Sequence, residues 1–138
     1  MKRIKIAFIC ADNTGRSQVA EALCRIHEND VFLAFSAGTH PLDKINTEAV
    51  KAIKELYKYD MTKIQKPKAL DQIKPVDIVI TLNVGADTLP FEPKHMENWD
   101  INNPSKEDKE SYIKKANTIL SHITQLKKRL ADGEVVLK

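Results

Sequence analysis

The sequence predicts an α/β fold, with one domain over residues 1–138 that contains a four-stranded parallel sheet, helices on both faces and a tight loop after the first strand. Three observations support this prediction. Apolar runs with strand character alternate with helical patterns, which is typical of βαβ units with right-handed crossovers. The chain is long enough for one core and has no linker or repeat. Ligands of such sheets bind at the carboxyl ends of the strands, where Cys10 follows the first apolar run.

The first half of the chain predicts two strands and two helices. A mostly apolar run at residues 4–9 is typical of a central parallel strand. From Ser17 onwards, apolar residues recur with the spacing of one helix face, and this helix ends within residues 27–30. A second strand is predicted at 31–36, and good cap residues at 46–47 begin a second helix. The buried face of this second helix would contain Val50, Ile53, Leu56 and Tyr57.

The second half predicts two further strands and one long helix. Residues 59–67 are polar and predict a loop, whereas β-branched residues at 76–82 predict a third strand and 95–101 a weaker fourth. The sequence at 105–108 resembles a capping box, which predicts the start of the long helix. The apolar face of that helix would contain Tyr112, Ile113, Ala116, Leu120, Ile123, Leu126 and Leu130. Residues 134–138 would form a tail.

Composition and charge exclude several functions. No apolar run approaches the length of a membrane span, so we expect a soluble protein without membrane association. The basic start lacks the apolar core and cleavage site of a signal peptide, so we expect a cytoplasmic location. A net charge of +3 is too small to argue for nucleic acid binding, although it suits an anionic substrate. No histidine or cysteine cluster has metal-ligand spacing, so we expect neither a metal nor another cofactor.

The most informative stretch is IAFICADNTGRSQVAEAL at residues 6–23, where a strand ends at Cys10 and a helix follows Arg16. A short loop there turns backbone N–H groups inward and forms, with the helix N-terminus, a nest for phosphate-like oxyanions. Cys10 in this positive field should have a lowered pKa and act as a thiolate nucleophile. Arg16 would bind two oxygens of the anion, and Ser17 would donate a hydrogen bond to the thiolate.

We therefore predict Cys10, Arg16 and Ser17 as catalytic residues. A phosphate, sulfate or arsenate anion would be bound by the intervening loop residues Ala11, Asp12, Asn13, Thr14 and Gly15. The second cysteine, Cys24, falls on the apolar helix face next to Leu23, so we interpret it as a core residue. A redox role for Cys24 is the alternative.

The loop sequence CADNTGRSQVAEAL resembles that of the low-molecular-weight protein tyrosine phosphatase and thioredoxin-coupled arsenate reductase superfamily. Three further pieces match in order: SAGT at 36–39, the strand that ends ITL at Leu82, and NWDINNP that ends at Pro104. The resemblance covers nearly the whole chain and implies a low-molecular-weight phosphatase-like domain over residues 1–138. It also implies a phosphocysteine or arsenocysteine on Cys10, and a bracing role for Asn13 in the loop.

The first departure from the family pattern concerns the general acid. The family has Asp-Pro where this chain has Asn103-Pro104. Asn103 can neither protonate a leaving oxygen nor activate water, and such a loss typically costs about 10²–10⁴-fold in rate. Asp100 is a candidate stand-in, although a solvated loop carboxylate is the simpler interpretation.

The second departure is Asp12, which occupies a loop position that is usually glycine. A carboxylate that pointed inward would repel an anion, so we expect Asp12 to point outward. A role as substitute acid is the alternative.

The other departures separate the chain from both branches of the family. The arsenate reductase branch has two resolving cysteines where this chain has Asn83 and Leu89, so a thiol relay would need Cys24 or an external thiol. The tyrosine phosphatase branch has a second loop cysteine where this chain has Gly15. Its pocket aromatics are replaced here by Ser105 and Lys106.

Three functions therefore remain open. The leading hypothesis is a cysteine-dependent phosphatase for phosphate monoesters, such as phosphotyrosine, a phosphoprotein or small aryl and acyl phosphates. The second is an arsenate reductase that uses an external thiol. The third, suggested by Asn103, is a catalytically weak or inactive module that binds an oxyanion or a phosphoprotein.

Overall fold

A computed structural model describes residues 2–84, 89–101 and 107–138 of the chain. The strands in this part are β1 (Ile4–Cys10), β2 (Phe32–Gly38), β3 (Ile78–Thr81) and β4 (His95–Asn98). The α-helices are α1 (Arg16–His27), α2 (Thr47–Tyr57) and α3 (Lys109–Ala131), and there are 3₁₀ helices at Met61–Lys63 and Leu70–Gln72. Among these helices, none combines the length and the hydropathy that a membrane span requires.

The four strands form one parallel sheet in the order β2-β1-β3-β4, which confirms the predicted sheet. In the register of this sheet, Cys10 pairs with Gly38, Ile9 with Thr81, and Thr81 with Asn98. The carboxyl ends of all four strands therefore meet at one edge, and Cys10 lies at that edge.

The two faces of the sheet are covered unequally. Ile6 and Phe8 of β1 point into the larger core, to which all three α-helices contribute. The alternate residues Ala7 and Ile9 point to a smaller apolar cluster, where the 3₁₀ helix residue Leu70 packs with Ile73, Val76 and Val79. Both faces thus carry helix, but the α-helices in the described residues pack on one face and a 3₁₀ turn on the other.

The predicted start of α2 is confirmed. Asn46 caps the helix, because its side chain accepts hydrogen bonds from the backbone N–H groups of Glu48 and Ala49 at 2.8 and 3.3 Å. The predicted buried face is wrong at Leu56, which is 36% exposed. Leu56 lies in the last turn of α2, whereas the buried residues of this helix are Ala49, Ala52 and Ile53.

The long helix α3 begins later than predicted. Asp108 is its N-cap and accepts a hydrogen bond from the Ser111 N–H at 2.9 Å, so the helix starts at Lys109. A carboxylate at this position also interacts favourably with the helix dipole. Ser105, with which the predicted capping box begins, lies outside the described residues. Ile119, which the predicted apolar face omitted, is fully buried.

Two segments predicted as irregular carry core residues. The predicted loop at 59–67 contains a 3₁₀ helix whose first residue, Met61, is fully buried. Asp60 caps this turn by accepting a hydrogen bond from the Thr62 N–H at 3.0 Å. In the predicted tail, Val135 is buried and Leu137 packs against the larger core. Segments of three to five residues are too short for a periodic pattern to show their buried side.

Candidate active site

The loop between β1 and α1 turns its carbonyl groups outward. The carbonyl oxygens of Cys10, Ala11, Asp12 and Thr14 accept hydrogen bonds from the backbone N–H groups of Thr39, His40, Leu42 and Asn46, at 3.1, 2.7, 3.1 and 2.9 Å respectively. The Asn13 carbonyl accepts one from Gln18 Nε2 at 2.9 Å. Because the C=O and N–H of a trans peptide point in opposite directions, the N–H groups of residues 11–15 point to the inside of the loop. Such a ring of inward N–H groups is an anion-binding nest.

Asn13 holds the loop in this shape. Its φ of 56° lies in the left-handed region, which Asn tolerates better than most residues. The buried side chain of Asn13 donates from Nδ2 to Ser17 Oγ at 2.8 Å and accepts at Oδ1 from the Lys68 N–H at 2.9 Å. Asn13 therefore connects the loop to α1 and to the segment that follows the first 3₁₀ helix.

The Cys10 thiol lies inside this ring. Its Sγ atom is 2.8 Å from Ser17 Oγ, and it accepts a hydrogen bond from the Asn13 N–H at 3.3 Å. Cys10 is only 2% exposed. The structure thus brings together Cys10, Ser17 and the loop amides, as the sequence predicts.

The predicted lowering of the Cys10 pKa is wrong. Burial raises the pKa of the thiol and is the largest effect. Hydrogen bonds from Ser17 and Asn13 favour the thiolate and lower the pKa, whereas the Asp12 carboxylate raises it further. The positive field of the loop favours the thiolate, but the loss of solvent around Sγ outweighs it and cannot be read from the sequence.

Asp12 points inward, which contradicts the predicted outward orientation. Its Oδ1 atom accepts a hydrogen bond from the Thr14 N–H at 3.1 Å and lies 3.9 Å from Cys10 Sγ. The side chain makes this contact because a short carboxylate readily bonds the backbone N–H two residues on. A negative charge therefore lies within the nest, next to the Cys10 thiol.

Arg16, the first residue of α1, connects the loop to the segment after β4. Its Nη1 atom donates to the Ile101 carbonyl at 3.1 Å, and Asn83 Nδ2 donates to the same oxygen at 3.0 Å. The guanidinium has five N–H donors, so this bond leaves capacity for an anion. Asn83 and Arg16 therefore hold the same carbonyl of Ile101.

Gly15 makes room for a tyrosine hydroxyl that the sequence did not predict at the site. A Cβ atom at Gly15 would overlap Tyr112 Oη and would lie 3.2 Å from two ring carbons. The Tyr112 hydroxyl in turn donates to the Glu107 carboxylate. Tyr112 was predicted as part of an apolar helix face, and a small residue at position 15 was the only signal of its second role.

Gly38 of the SAGT piece allows a second close approach. A Cβ atom at Gly38 would lie 2.7 Å from the Ala11 carbonyl oxygen and 3.0 Å from Asn13 Cβ. Glycine at the end of β2 therefore lets residues 11–15, which we call the anion loop, lie directly against the sheet edge.

Gln18 and Gln65 stabilise the loop through a chain of hydrogen bonds to Asn13. The sequence did not predict this role for either residue. Gln65 Nε2 donates to Gln18 Oε1 at 2.8 Å, and Gln18 in turn bonds the loop at Asn13. Both glutamines are buried, and Gln18 is fully so. A polar residue on the buried side of α1 was the available signal in the sequence.

Of the candidate general-acid positions 100 and 103, only Asp100 lies within the residues that the structure describes. Asn103, Ser105 and Lys106 lie outside them. Asp100 is exposed and precedes the buried Ile101, whose carbonyl contacts Arg16. Glu107 contacts Tyr112, which lies against Gly15.

Cys24 lies apart from this chemistry. It is fully buried within α1, and burial and the carboxylates of Glu28 and Glu21 raise the pKa of its thiol. The structure therefore agrees with its interpretation as a core residue. Among the described residues, no group of three or more His, Cys, Asp or Glu side chains is arranged to hold a metal ion.

The chain matches one protein family over almost its whole length. The profile of the low molecular weight phosphotyrosine protein phosphatase family matches residues 5–135. A curated arsenate reductase of Bacillus licheniformis is 34% identical to the chain over 112 residues, which is 77% of this chain and 78% of that protein.

Solved structures from both branches of the family have the same fold. The thioredoxin-dependent arsenate reductase Cg_ArsC1′ of Corynebacterium glutamicum superposes with a TM-score of 0.76 at 26% identity, covering 95% of this chain and 63% of that one. A low molecular weight protein tyrosine phosphatase from T. tengcongensis gives a TM-score of 0.75 at 22% identity, covering 91% of this chain and 99% of that one.

Proposed function

The chain belongs to the low molecular weight phosphotyrosine protein phosphatase family, and from this we propose that it acts on a tetrahedral oxyanion through the Cys10 thiolate. Membership of the family, with arsenate reductases among the relatives, makes the chain an enzyme of hydrolase or reductase type. The observation that carries our proposal is the position of Cys10 Sγ inside a ring of inward N–H groups, in contact with Asn13 and Ser17.

The first step is common to both reaction types. The inward N–H groups of residues 11–15 and the Arg16 guanidinium hold the anion's oxygens, and they stabilise negative charge that develops in the transition state. The Cys10 thiol first loses its proton to water, and the thiolate then attacks the central atom. A sulfur–phosphorus or sulfur–arsenic bond forms while the bond to the leaving oxygen breaks. Ser17 Oγ, 2.8 Å from Sγ, stabilises the thiolate before the attack and again when Cys10 is released.

Phosphomonoester hydrolysis is the leading activity. Water attacks the phosphocysteine, the sulfur–phosphorus bond breaks, and inorganic phosphate leaves. Because Asn103 replaces the family's general acid, we expect substrates with good leaving groups, such as aryl and acyl phosphates. Ser105 and Lys106 replace the pocket aromatics of the tyrosine phosphatases, so we do not expect a preference for phosphotyrosine.

Arsenate reduction with an external thiol is the second candidate, and the relatives favour it. The curated relative is named an arsenate reductase, and one structural neighbour is named thioredoxin-dependent. In this reaction an external thiol attacks the sulfur of the Cys10–arsenate adduct, which forms a mixed disulfide and releases arsenite. A second external thiol then reduces the mixed disulfide. The chain has only two cysteines and Cys24 is fully buried, so both electrons must come from external thiols.

One experiment separates these activities. Aryl phosphate turnover and arsenate-dependent thiol oxidation are measured on the wild type, on Cys10→Ser and on the control Cys24→Ala. We expect Cys10→Ser to abolish whichever reaction the wild type performs, while Cys24→Ala retains it. Full activity in Cys10→Ser would refute the proposed nucleophile, and oxyanion binding without either reaction would leave only a binding function.

Asn103→Asp tests the missing acid. We expect this change to raise phosphatase turnover by about 10²-fold for alkyl phosphates and by less for aryl phosphates, because good leaving groups need little protonation. Burst kinetics on both proteins would separate formation of the phosphocysteine from its hydrolysis. If wild type already turns over alkyl phosphates well and the substitution changes neither phase, the acid is another residue, such as Asp100.

A further inference from the structure

We propose that Asp12 makes the anion loop selective for oxyanions that carry an O–H group, which donates its hydrogen to the Asp12 carboxylate. This inference rests on the proposed function, because it concerns the same loop, and it specifies the substrate class. Hydrogen phosphate, hydrogen arsenate and singly protonated phosphate monoesters belong to that class. Sulfate and fully ionised phosphate monoesters do not, so the monoesters of the proposed phosphatase reaction would bind in their singly protonated form.

The first argument is the position of the carboxylate. Asp12 Oδ1 lies 3.9 Å from Cys10 Sγ and is held there by the Thr14 N–H at 3.1 Å. A central atom poised for attack must approach Sγ to about 3–3.5 Å. The oxygens around that atom then come into contact range of Asp12 Oδ1. The loop N–H groups donate to such an anion, whereas Asp12 is able only to accept.

The second argument is charge. An ionised carboxylate and an anion oxygen repel each other at contact, and burial next to Cys10 strengthens the repulsion. An O–H between the two oxygens replaces this repulsion with a short charge-assisted hydrogen bond. Inorganic phosphate and arsenate carry this hydrogen at neutral pH. A phosphate monoester carries it only below its second pKa, which is about 6.

The other charged and titratable groups near Asp12 do not supply the hydrogen. Arg16 directs its Nη1 donor to the Ile101 carbonyl. Burial and Glu107 raise the pKa of Tyr112, and its hydroxyl already donates to Glu107. His40 lies on the outer side of the loop, where its backbone N–H bonds the Ala11 carbonyl and its ring contacts the Thr39 hydroxyl. The Cys10 thiol donates to Asp12 Oδ1 only at the long distance of 3.9 Å, and this hydrogen is lost when the thiolate forms for attack.

The test is anion binding at two pH values. Isothermal titration calorimetry with sodium phosphate, sodium sulfate and methyl phosphate is performed at pH 5.5 and pH 8 and at constant ionic strength. The proteins are the wild type, Asp12→Asn, and the control Asp43→Asn, which removes an exposed charge from the neighbouring segment. His40→Gln controls for histidine titration, and thermal unfolding verifies that each variant is folded.

We expect wild type at pH 8 to bind phosphate at least about tenfold more tightly than sulfate or methyl phosphate, in keeping with the strength of a charge-assisted hydrogen bond. Methyl phosphate should bind about tenfold more tightly at pH 5.5 than at pH 8. Asp12→Asn should reduce both differences to about threefold or less, because an amide accepts and donates. Asp43→Asn and His40→Gln should behave like wild type.

Each outcome separates the two proposals. Equal binding of phosphate and sulfate by wild type, or an unchanged preference in Asp12→Asn, would overturn the inference even if Cys10 is the nucleophile. Selective binding without any Cys10-dependent reaction would leave the inference standing and overturn the proposed function. If wild type binds none of the three anions, the anion site and both proposals are overturned.

Discussion

Cys10 experiences opposing effects from its neighbours. Ser17 and Asn13 donate hydrogen bonds that favour the thiolate, whereas burial and the Asp12 carboxylate favour the thiol. The placement of Cys10, Asn13, Arg16 and Ser17 around one loop could be predicted from the sequence, because their spacing matches a strand, a loop and a helix start. The sign of the pKa shift could not, because it depends on how much solvent remains around one sulfur atom. The side-chain orientation of Asp12 was unpredictable for a similar reason.

One prediction for an individual side chain concerns Ser17→Ala. Removing the hydroxyl 2.8 Å from Sγ should raise the pKa of Cys10 and slow its alkylation at pH 7 by about tenfold, since a hydrogen bond to a charged group contributes about 1.5 kcal/mol. Iodoacetamide labelling followed by mass spectrometry measures the rate at Cys10 separately from Cys24. Ser121→Ala, an exposed serine on α3, is the matched control. An unchanged rate would mean that Ser17 does not stabilise the thiolate.

The helices of the fold differ in how clearly the sequence predicts them. Residues of α1 repeat with helical spacing over three turns, so that helix was predicted to within one residue of its start. Asn46 predicted the start of α2, because capping is a local interaction that neighbouring residues in the sequence determine. The start of α3 was missed because two acceptors, at 105 and 108, suited the same role. The 3₁₀ helix at Met61–Lys63 was missed because three residues carry no periodicity.

A prediction at this scale concerns the contact between the start of α1 and α3. Gly15→Ala should lower the free energy of unfolding by about 1–3 kcal/mol, because the new methyl group overlaps the Tyr112 hydroxyl in a buried contact. Urea denaturation measures the change. Tyr112→Phe removes the overlapping hydroxyl, so the double variant should lose less than the sum of the two single losses. Additive losses would show that the two residues do not clash.

At the scale of the whole molecule, alternating strands and helices were sufficient to predict the parallel sheet and the edge that carries the site. The contacts that shape the anion loop were not predictable, because they join residues 10–14 to residues 39–46 across the β1–β2 edge. No local pattern reports backbone hydrogen bonds between segments so far apart in sequence. The same applies to the bond between Arg16 and Ile101, which are 85 positions apart.

A prediction for the whole molecule concerns acid stability. Arg129 of α3 holds Glu97 of β4 with two hydrogen bonds of 2.8 Å, and these bonds, with help from His95 and Trp99, lower the pKa of Glu97 from 4.5 to about 2. A carboxyl whose pKa is lowered by folding stabilises the protein above its unfolded-state pKa. This stabilisation is lost as the pH falls through the folded-state value.

Glu97→Gln should therefore reduce the free energy of unfolding at pH 7 by about 1–2 kcal/mol, a figure that allows for solvent screening of this partly exposed pair. The difference in the free energy of unfolding between Glu97→Gln and wild type should shrink as the pH falls from about 4.5 towards 2. Urea unfolding across that range measures it, with the exposed Glu92→Gln as control. A constant difference over the whole range would contradict the assignment.

The outward bonds of the loop carbonyls have a further consequence for the energy of the proposed reaction. In water, solvent dipoles must reorient when charge moves from an attacking sulfur to a leaving oxygen, and this reorientation forms part of the barrier. Here the peptide dipoles of residues 11–15 are fixed by bonds to residues 39–46 and to Gln18 before any ligand arrives. The free energy of orienting them belongs to folding, so the reacting anion meets a polar shell with little left to reorganise.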